Sequence, residues 1–353
     1  MVTQISIKVE PLRAVSDDLS ALIAKQDHRF FALDNHLAGP RNPAQIAQML
    51  RDGVASGQPV LVARTGGGRV VGCAVTALWQ FSEEQEMSAF YAPRTGLVRQ
   101  LFLPPSLAPE AQAAFSALLA ALDRQWQGQQ TEGELITWLS SDHWVESQLK
   151  VAGFAPDNIL AVRGLEPLPA SQRPAPAGVT TRLAQQQDAE ELVGLHLGEL
   201  EFHLPYSPFA RMVPALEREF RQRLLYLWAN EDVDRLPVIV VAERAGEVVA
   251  MAECYVETLP GWLSNYRLPD GNYGYLNSVG VRPDLRGLGI GRLLVQGVFE
   301  QLAAYEPLGY ALWFTYSNPL SSKFWPHLGF RPLWTQYQRR RGIAGTPLWH
   351  AEG

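Results

Sequence analysis

The chain has 353 residues, 47% of them hydrophobic and 19% charged, and 36 acidic side chains outweigh 30 basic ones to leave a net charge of −6. That length exceeds one ordinary core, so two domains are expected, and the negative balance argues against a general nucleic-acid surface. No apolar run approaches the ~18 residues of a membrane span, and two cysteines, Cys73 and Cys254, make neither a disulfide framework nor a metal site.

The start, "MVTQISIKVEP", alternates like a strand and lacks a charged-then-apolar leader pattern, so a cytoplasmic location is expected. A helix follows, with Asp17 and Asp18 at its opening, and then a second helix, "PAQIAQMLRDGV". From Pro59, "PVLVARTGGGRVVGCAV" reads as a hairpin: two β-rich runs around a glycine turn. A strand ending "LFLPP" (Leu101 to Pro105), the amphipathic helix "PEAQAAFSALLAALDRQW", the strand "ELITWLS", a short helix and a closing strand complete this half. The proline-rich "LEPLPASQRPAPAG", Leu165 to Gly178, has the composition of a semi-stiff linker.

The same order then repeats. A helix opened by Asp188, Glu190 and Glu191 precedes "MVPALEREFRQRLLYLW", and "PVIVVAERAGEVVAMAE" from Pro237 repeats the hairpin. "VGVRP" ends at Pro283 where "LFLPP" ends at Pro105, an offset of 178; "LGF" ends at Phe330 where "AGF" ends at Phe154, an offset of 176. Such steady offsets mark two copies of one domain, spanning 1–164 and 179–353 with the linker at 165–178. Antiparallel strands followed by a strand–helix–strand unit predict an α/β (α+β) fold, each copy a mostly antiparallel mixed sheet with helices on both faces. The closing "RRR", Arg339 to Arg341, reads as a solvated strand end.

The most informative stretch is "VGVRPDLRGLGIGRLL", Val279 to Leu294. "YGYLNSVGV" is a strand and "RLLVQGVFEQL" a helix, so Arg286 to Gly291 is the turn between them. Glycine lets backbone N–H groups approach a ligand, a helix N-terminus adds unpaired donors and partial positive charge, and Arg286 adds a cation suited to phosphate oxygens. Together they predict a diphosphate cradle. No Gly-Lys-Ser/Thr follows, so it is not a P-loop, and glycines at Gly287, Gly289 and Gly291 do not match GxGxxG.

Strand, "V.P..RG.GIG", helix, one more strand, Asn318 and then "FWPHLGF" resemble the acyl-CoA-dependent N-acyltransferases of the GNAT superfamily. The resemblance covers both halves as fold, but its diagnostic motifs lie only in the second. It implies acetyl-CoA as co-substrate, with its pyrophosphate on Arg286, Gly287, Leu288, Gly289, Ile290, Gly291 and Arg292. It places the pantetheine arm along Val279, Gly280 and Val281, with Asn318 and Trp325 beside it. In the first copy the turn corresponds to "APEAQA", Ala108 to Ala113, where Glu110 stands in place of the phosphate site, and Asn318 corresponds to Asp142. That copy is expected to bind no coenzyme A.

A tyrosine seven residues after the asparagine serves as acid in many relatives; here that position is Trp325, whose indole is no acid. Tyr316, Ser317, Ser322 and His327 are the donors nearby. Asn277 stands where many relatives carry a base carboxylate, which leaves Glu253, in the preceding strand, as the candidate base. The catalytic candidates are therefore Glu253, Asn277 and Tyr316. "HLGELEFHLPYSPF", His196 to Phe209, offers Glu199, Phe202, His203 and Tyr206 to an acceptor. The expected function is acetyl transfer from acetyl-CoA to a primary amine of a small molecule by direct attack in a ternary complex, by a monomer or homodimer. The alternative is a non-catalytic acyl-CoA-binding or sensor protein.

Overall fold

The structure is a computed structural model that describes residues 6–170, 176–230 and 237–341; the middle of the proline-rich segment lies outside the described residues. The first copy runs β1 (Ile7–Pro11), α1 (Asp17–Leu33), α2 (Pro43–Ala55), β2 (Val60–Thr65), β3 (Val70–Gln80), β4 (Arg94–Phe102), α3 (Ala111–Gly128), β5 (Gly133–Leu139), α4 (Glu146–Val151) and β6 (Ala155–Arg163). The second repeats the order: β7 (Val179–Leu183), α5 (Ala189–His203), α6 (Pro214–Ala229), β8 (Val238–Arg244), β9 (Glu247–Thr258), β10 (Asn272–Val281), α7 (Ile290–Leu302), β11 (Gly309–Thr315), α8 (Ser321–His327) and β12 (Arg331–Arg340). Among the described residues no helix is long and apolar enough to cross a membrane.

Local chemistry sets the elements. Asn42 caps α2 in a reciprocal pair with Gln45, with Pro43 in the first turn where its missing N–H costs nothing. β8 is apolar on both faces because both are covered: Ile239 and Val241 pack with Leu192, Phe220 and Leu224 of α5 and α6. Val240 and Ala242, pointing the other way, pack with Leu294, Val295 and Val298 of α7. Cys73 of β3 and Cys254 of β9 are both buried.

The strands form one continuous sheet in the order β1-β2-β3-β4-β5-β12-β6-β11-β10-β9-β8-β7. Neighbours are antiparallel except β4 with β5 and β10 with β11. The two copies meet edge to edge and exchange closing strands: β12 lies against β5, β6 lies against β11, and β6 and β12 pair with each other. The end of the first chain segment is thus inside the second copy's sheet.

This exchange corrects the reading of Arg339 to Arg341 as solvated. Because β12 sits beside β5, Arg339 reaches the fully buried Glu134 at 3.0 Å and Asp123 at 2.9 Å. Arg341 joins the same two carboxylates, and Arg340 donates to the carbonyls of Phe90 and Phe209, one in each copy.

Candidate active site in the second copy

Parallel β10 and β11 pair only from Tyr273 with Gly309 to Leu276 with Leu312; beyond that point they diverge. β10 stays paired with β9 as far as Val281, through a register shift between Leu276 and Ser278 that makes Asn277 a bulge residue. The Arg282 N–H donates to Val249, on the β9 side. Backbone groups alternate sides along a strand, so Ser278 and Gly280 face β9 while Val279 and Val281 turn their N–H and C=O into the gap. The Val281 carbonyl accepts from Arg286 Nε at 3.0 Å.

At the end of the strand the chain turns through the glycines. Gly287 and Gly289 have φ of +78° and +88°, a region that excludes most side chains, and a Cβ on Gly291 would lie 3.2 Å from the Phe324 ring. Gly289 is the residue that caps α7, and the first turn of that helix presents N–H groups without intrahelical partners. The Arg286 guanidinium lies 4.0 Å above the Phe202 ring, a cation–π contact that joins the turn to the end of α5.

Divergence of the strands opens a cleft of about 550 Å³. It gathers, from the residues singled out in the sequence, Glu199, Phe202, His203, Asn277, Val279, Gly280, Val281, Arg286, Gly287, Gly289, Gly291, Arg292, Asn318 and Trp325. Leu288 is exposed beside the turn, and Ile290 is buried in the core under α7. Trp325 packs edge-on against Phe324 and Phe330, with ring centroids 4.8 and 5.3 Å away. Unpaired strand backbone, a left-handed glycine turn and a fixed cation in one cleft suit an amide-bearing diphosphate such as coenzyme A.

Three candidates lie elsewhere. Tyr316 is 44% exposed and is not among the cleft-lining residues. Tyr206 lies outside the lining, its ring tilted against Phe202 with centroids 5.6 Å apart. Glu253 is 0% exposed. One carboxylate oxygen accepts from Arg223 Nε at 3.0 Å and from the Tyr255 hydroxyl at 2.9 Å; the other accepts from Asn277 Nδ2 at 2.7 Å. Arg223 also pairs with Glu86 of the first copy. Glu253 is therefore held by three donors inside the protein and is not among the cleft-lining residues, where a base would have to stand.

The ionisable pair in the cleft is Glu199 and His203, one turn apart on α5. His203 Nε2 lies 2.8 Å from the Glu199 carboxylate, and its Nδ1 lies 3.2 Å from both Thr315 Oγ1 and Asn318 Nδ2. Burial lowers the imidazolium, but the Glu199 hydrogen bond and charge outweigh it and the net shift is upward. Burial likewise raises Glu199, and His203 outweighs it to leave that carboxyl below the usual range. His196, by contrast, is stacked on Phe220 at 4.1 Å with its pKa lowered by burial. Thr315 and Arg223 carried no signal in the sequence; the four-residue spacing of Glu199 and His203 did.

The first copy closes the equivalent gap. β4 and β5 pair only as far as Val98 with Ile136, but Gln26 of α1 fills the edge beyond: its Nε2 donates to Leu101 O and its Oε1 accepts from Leu103 N, both at 2.7 Å. The cavity there is only about 40 Å³. Glu110 pairs with Arg69 at 2.9 Å and Asp142 with Arg29 at 3.2 Å, so both anions are held by the protein itself.

No curated protein matches the chain in sequence. Among solved structures, a GCN5-related N-acetyltransferase from Sphaerobacter thermophilus shares the fold at TM-score 0.54 and 15% identity, covering 95% of each chain. A glucosamine N-acetyltransferase region of a fungal multi-domain GH3 β-N-acetylglucosaminidase matches at TM-score 0.50 and 14% identity, over 95% of this chain and 38% of that one. The family model of the acetyltransferase (GNAT) family matches residues 202–330, which run from the end of α5 to the residue before β12 and include every cleft-lining residue but Glu199. Residues 202–330, in the second copy, thus carry a domain of the acetyltransferase (GNAT) family, on a two-copy fold shared with the Sphaerobacter thermophilus structure.

Proposed function

We propose that the second copy transfers an acetyl group from acetyl-CoA to a primary amine of a small molecule, by direct attack in a ternary complex. The observation that carries this reading is the backbone edge of Val279 and Val281, open to a cleft that ends on the glycine turn. Bound acetyl-CoA supplies an acetyl thioester, whose leaving thiol has an ordinary pKa of ~8.5. The N–H and C=O of Val279 and the N–H of Val281 are groups that an amide-bearing arm can meet as an added strand would, while the Val281 carbonyl is held by Arg286. The first turn of α7 and Arg286 face the place for a diphosphate. Glu199, Phe202 and His203 line the α5 wall and form the side from which an acceptor would approach.

Deprotonation is the heavier chemical demand. A lysine-like amine of pKa ~10.4 is almost wholly protonated at neutral pH, whereas a thiolate of pKa ~8.5 leaves readily. Trp325 in place of a tyrosine is therefore compatible with turnover. It is also the observation on which a non-catalytic, acyl-CoA-binding reading rests. The two separate on incubation with acetyl-CoA and a panel of primary amines (polyamines, amino sugars, aminoglycosides, amino acids), with free thiol and acetylated product measured together. Transfer to any amine above the hydrolysis background supports the enzyme. Binding of acetyl-CoA with no transfer to any of them supports the sensor.

A further inference from the structure

We infer that Asn277 receives the acceptor amine, its side-chain oxygen turned to the cleft by Glu253 so that it accepts an N–H of the attacking nitrogen. The inference rests on the acetyltransferase reading above. It begins with where Asn277 stands. The last rung between β10 and β11 joins Leu276 to Leu312, so Asn277 is the first residue of β10 beyond the point where the strands part. Leu276, Trp313 and Phe314 line the cleft at that end. Val281, which closes β10 before the glycine turn, is four residues further on, roughly 13 Å at ~3.3 Å per residue. An acetyl-CoA with its diphosphate on the turn and its arm following Val281 and Val279 back along the strand carries its thioester toward Asn277. The amine must meet it there.

Which atom Asn277 offers is set by its partner. Its Nδ2 lies 2.7 Å from Glu253 Oε2, and a carboxylate only accepts, so the amide turns its nitrogen inward and its oxygen away. Glu253 is itself fixed, because its other oxygen accepts from Arg223 Nε at 3.0 Å and from the Tyr255 hydroxyl at 2.9 Å. The register shift between Leu276 and Ser278 takes residue 277 out of the ladder with β9, and a bulge of this kind re-aims a side chain. Asn277 is exposed and lines the cleft, and its Oδ1 has no hydrogen-bond partner among the described residues. A ligand that fills the cleft strips water from this oxygen, which is costly unless the ligand returns a donor. An acetyl thioester has no N–H or O–H at its reacting end; the amine has.

The step balances. The amine lone pair forms the nitrogen–carbon bond to the acyl carbon while one N–H stays on Asn277 Oδ1. The carbon–sulfur bond breaks with its electron pair on sulfur. A second proton of the nitrogen passes to solvent, and the thiolate takes one up from solvent. The products are the amide and the free thiol; an acceptor that arrives as ammonium releases one further proton beforehand. Asn277 neither gains nor loses a proton, and Glu253 is a positioning residue that acts through it.

The test combines spectroscopy on the free protein with turnover. In Glu253→Gln the Arg223 and Tyr255 donors keep the new side chain's oxygen, so its nitrogen faces Asn277 and turns that amide round. Proton–nitrogen spectra of the side-chain amides, with Asn277 assigned by its loss in Asn277→Leu, should show one proton shifted downfield by its carboxylate acceptor and returned upfield in Glu253→Gln. With an amine found to be acetylated, Asn277→Leu should lose at least ~10-fold in kcat/KM for the amine. Its acetyl-CoA affinity should stay within about threefold of wild type, which also shows that the variant is folded. Glu253→Gln should lose as much alone, but no more than about threefold further when added to Asn277→Leu. A kcat/KM of Asn277→Leu within about threefold of wild type overturns the inference. So does an equal fall in acetyl-CoA affinity, which would give the oxygen to the arm of the co-substrate, and so does a full additional loss from Glu253→Gln in the double variant. Should Glu253→Gln not fold, Asn277→Leu alone decides. Absence of transfer by the wild-type chain with every amine is a different failure, that of the acetyltransferase reading itself.

Discussion

In the first copy, one side chain takes the place that the open cleft leaves in the second, and replacing it has a calculable cost. Gln26 is 4% exposed, and its amide satisfies Leu101 O and Leu103 N, each at 2.7 Å. Gln26→Leu keeps the volume and removes both partners, leaving a buried carbonyl and a buried N–H unpaired. Each costs ~1–3 kcal/mol, so the pair costs about 2–6 kcal/mol, and the apolar gain of the leucine holds the net near the lower end, ~2–3 kcal/mol. Gln26→Ala opens room for a water to take over the amide's bonds and should cost less than Gln26→Leu. Equilibrium unfolding of the full chain in urea reads these differences. A leucine variant within ~0.5 kcal/mol of wild type would show that the edge is not held by Gln26. Calorimetric titration should give one acetyl-CoA per chain for wild type and for both variants, because Glu110 and Asp142 remain in the first copy whatever stands at position 26.

Arg286→Glu should weaken acetyl-CoA binding at least ~10-fold, about 1.4 kcal/mol, since it places like charge at the turn and releases the Val281 carbonyl; unchanged affinity by calorimetry would remove the cradle assignment. Trp325→Phe should keep kcat within about tenfold, a margin of ~1.4 kcal/mol, because the indole packs on Phe324 and Phe330 and has no proton to give at neutral pH; near-total loss of turnover with acetyl-CoA still bound would assign it a chemical role. Burial pushes the Asp157 carboxyl up to about 6, against hydrogen bonds from Ser207 and Asn158. Its folded value lies above the ordinary ~3.9, so its favourable contribution is complete below about pH 4 and is lost as pH rises through 6, an expense of ~3 kcal/mol by pH 8. Asp157→Asn should therefore stabilise the chain at pH 8, by ~1–3 kcal/mol, and hardly at pH 4; equal urea midpoints for the two proteins at pH 8 would refute this.

How much of the site was readable depended on how local its causes were. Gly287 and Gly289 are dictated by their own φ and Gly291 by a neighbouring ring, so the turn could be read from the sequence with its arginine. The repeated order of elements could be read for the same reason, since each hairpin and each amphipathic helix is written in its own residues. Glu253 is the opposite case. A charge in an apolar strand indicates that a partner exists but not which one, and here the partners are Arg223 on α6, Tyr255, and Asn277 at the bulge. Arg339 and Arg341 likewise depend on Glu134 and Asp123, which the strand exchange brings to them from the other copy. No sequence pattern distinguishes β12 pairing with β5 from β12 pairing with β11, because both offer the same kind of edge. His203 and Glu199 were visible as a spaced pair, but the contact of His203 Nδ1 with Asn318, more than a hundred residues away, was not.

The fold itself creates the need that the two copies meet differently. A parallel pair that diverges after four residues leaves the next backbone groups of the longer strand without a neighbour, in each copy at the same place. Left buried and unpaired, such groups are costly. The first copy answers with Gln26 and becomes solid there; the second leaves the gap as an open cleft, with the Val281 carbonyl taken by Arg286. The solid copy still reaches the open one. Glu86, in the loop after β3, holds Arg223, which holds Glu253, which accepts from Asn277 at the mouth of the gap. The loop after β9 returns the contact, with Arg267 paired to Asp27 and donating to the Ala38 and Gly39 carbonyls. With closing strands exchanged and these loops crossed, Asn277 is linked to a carboxylate of the first copy through the half-buried Arg223 and the fully buried Glu253.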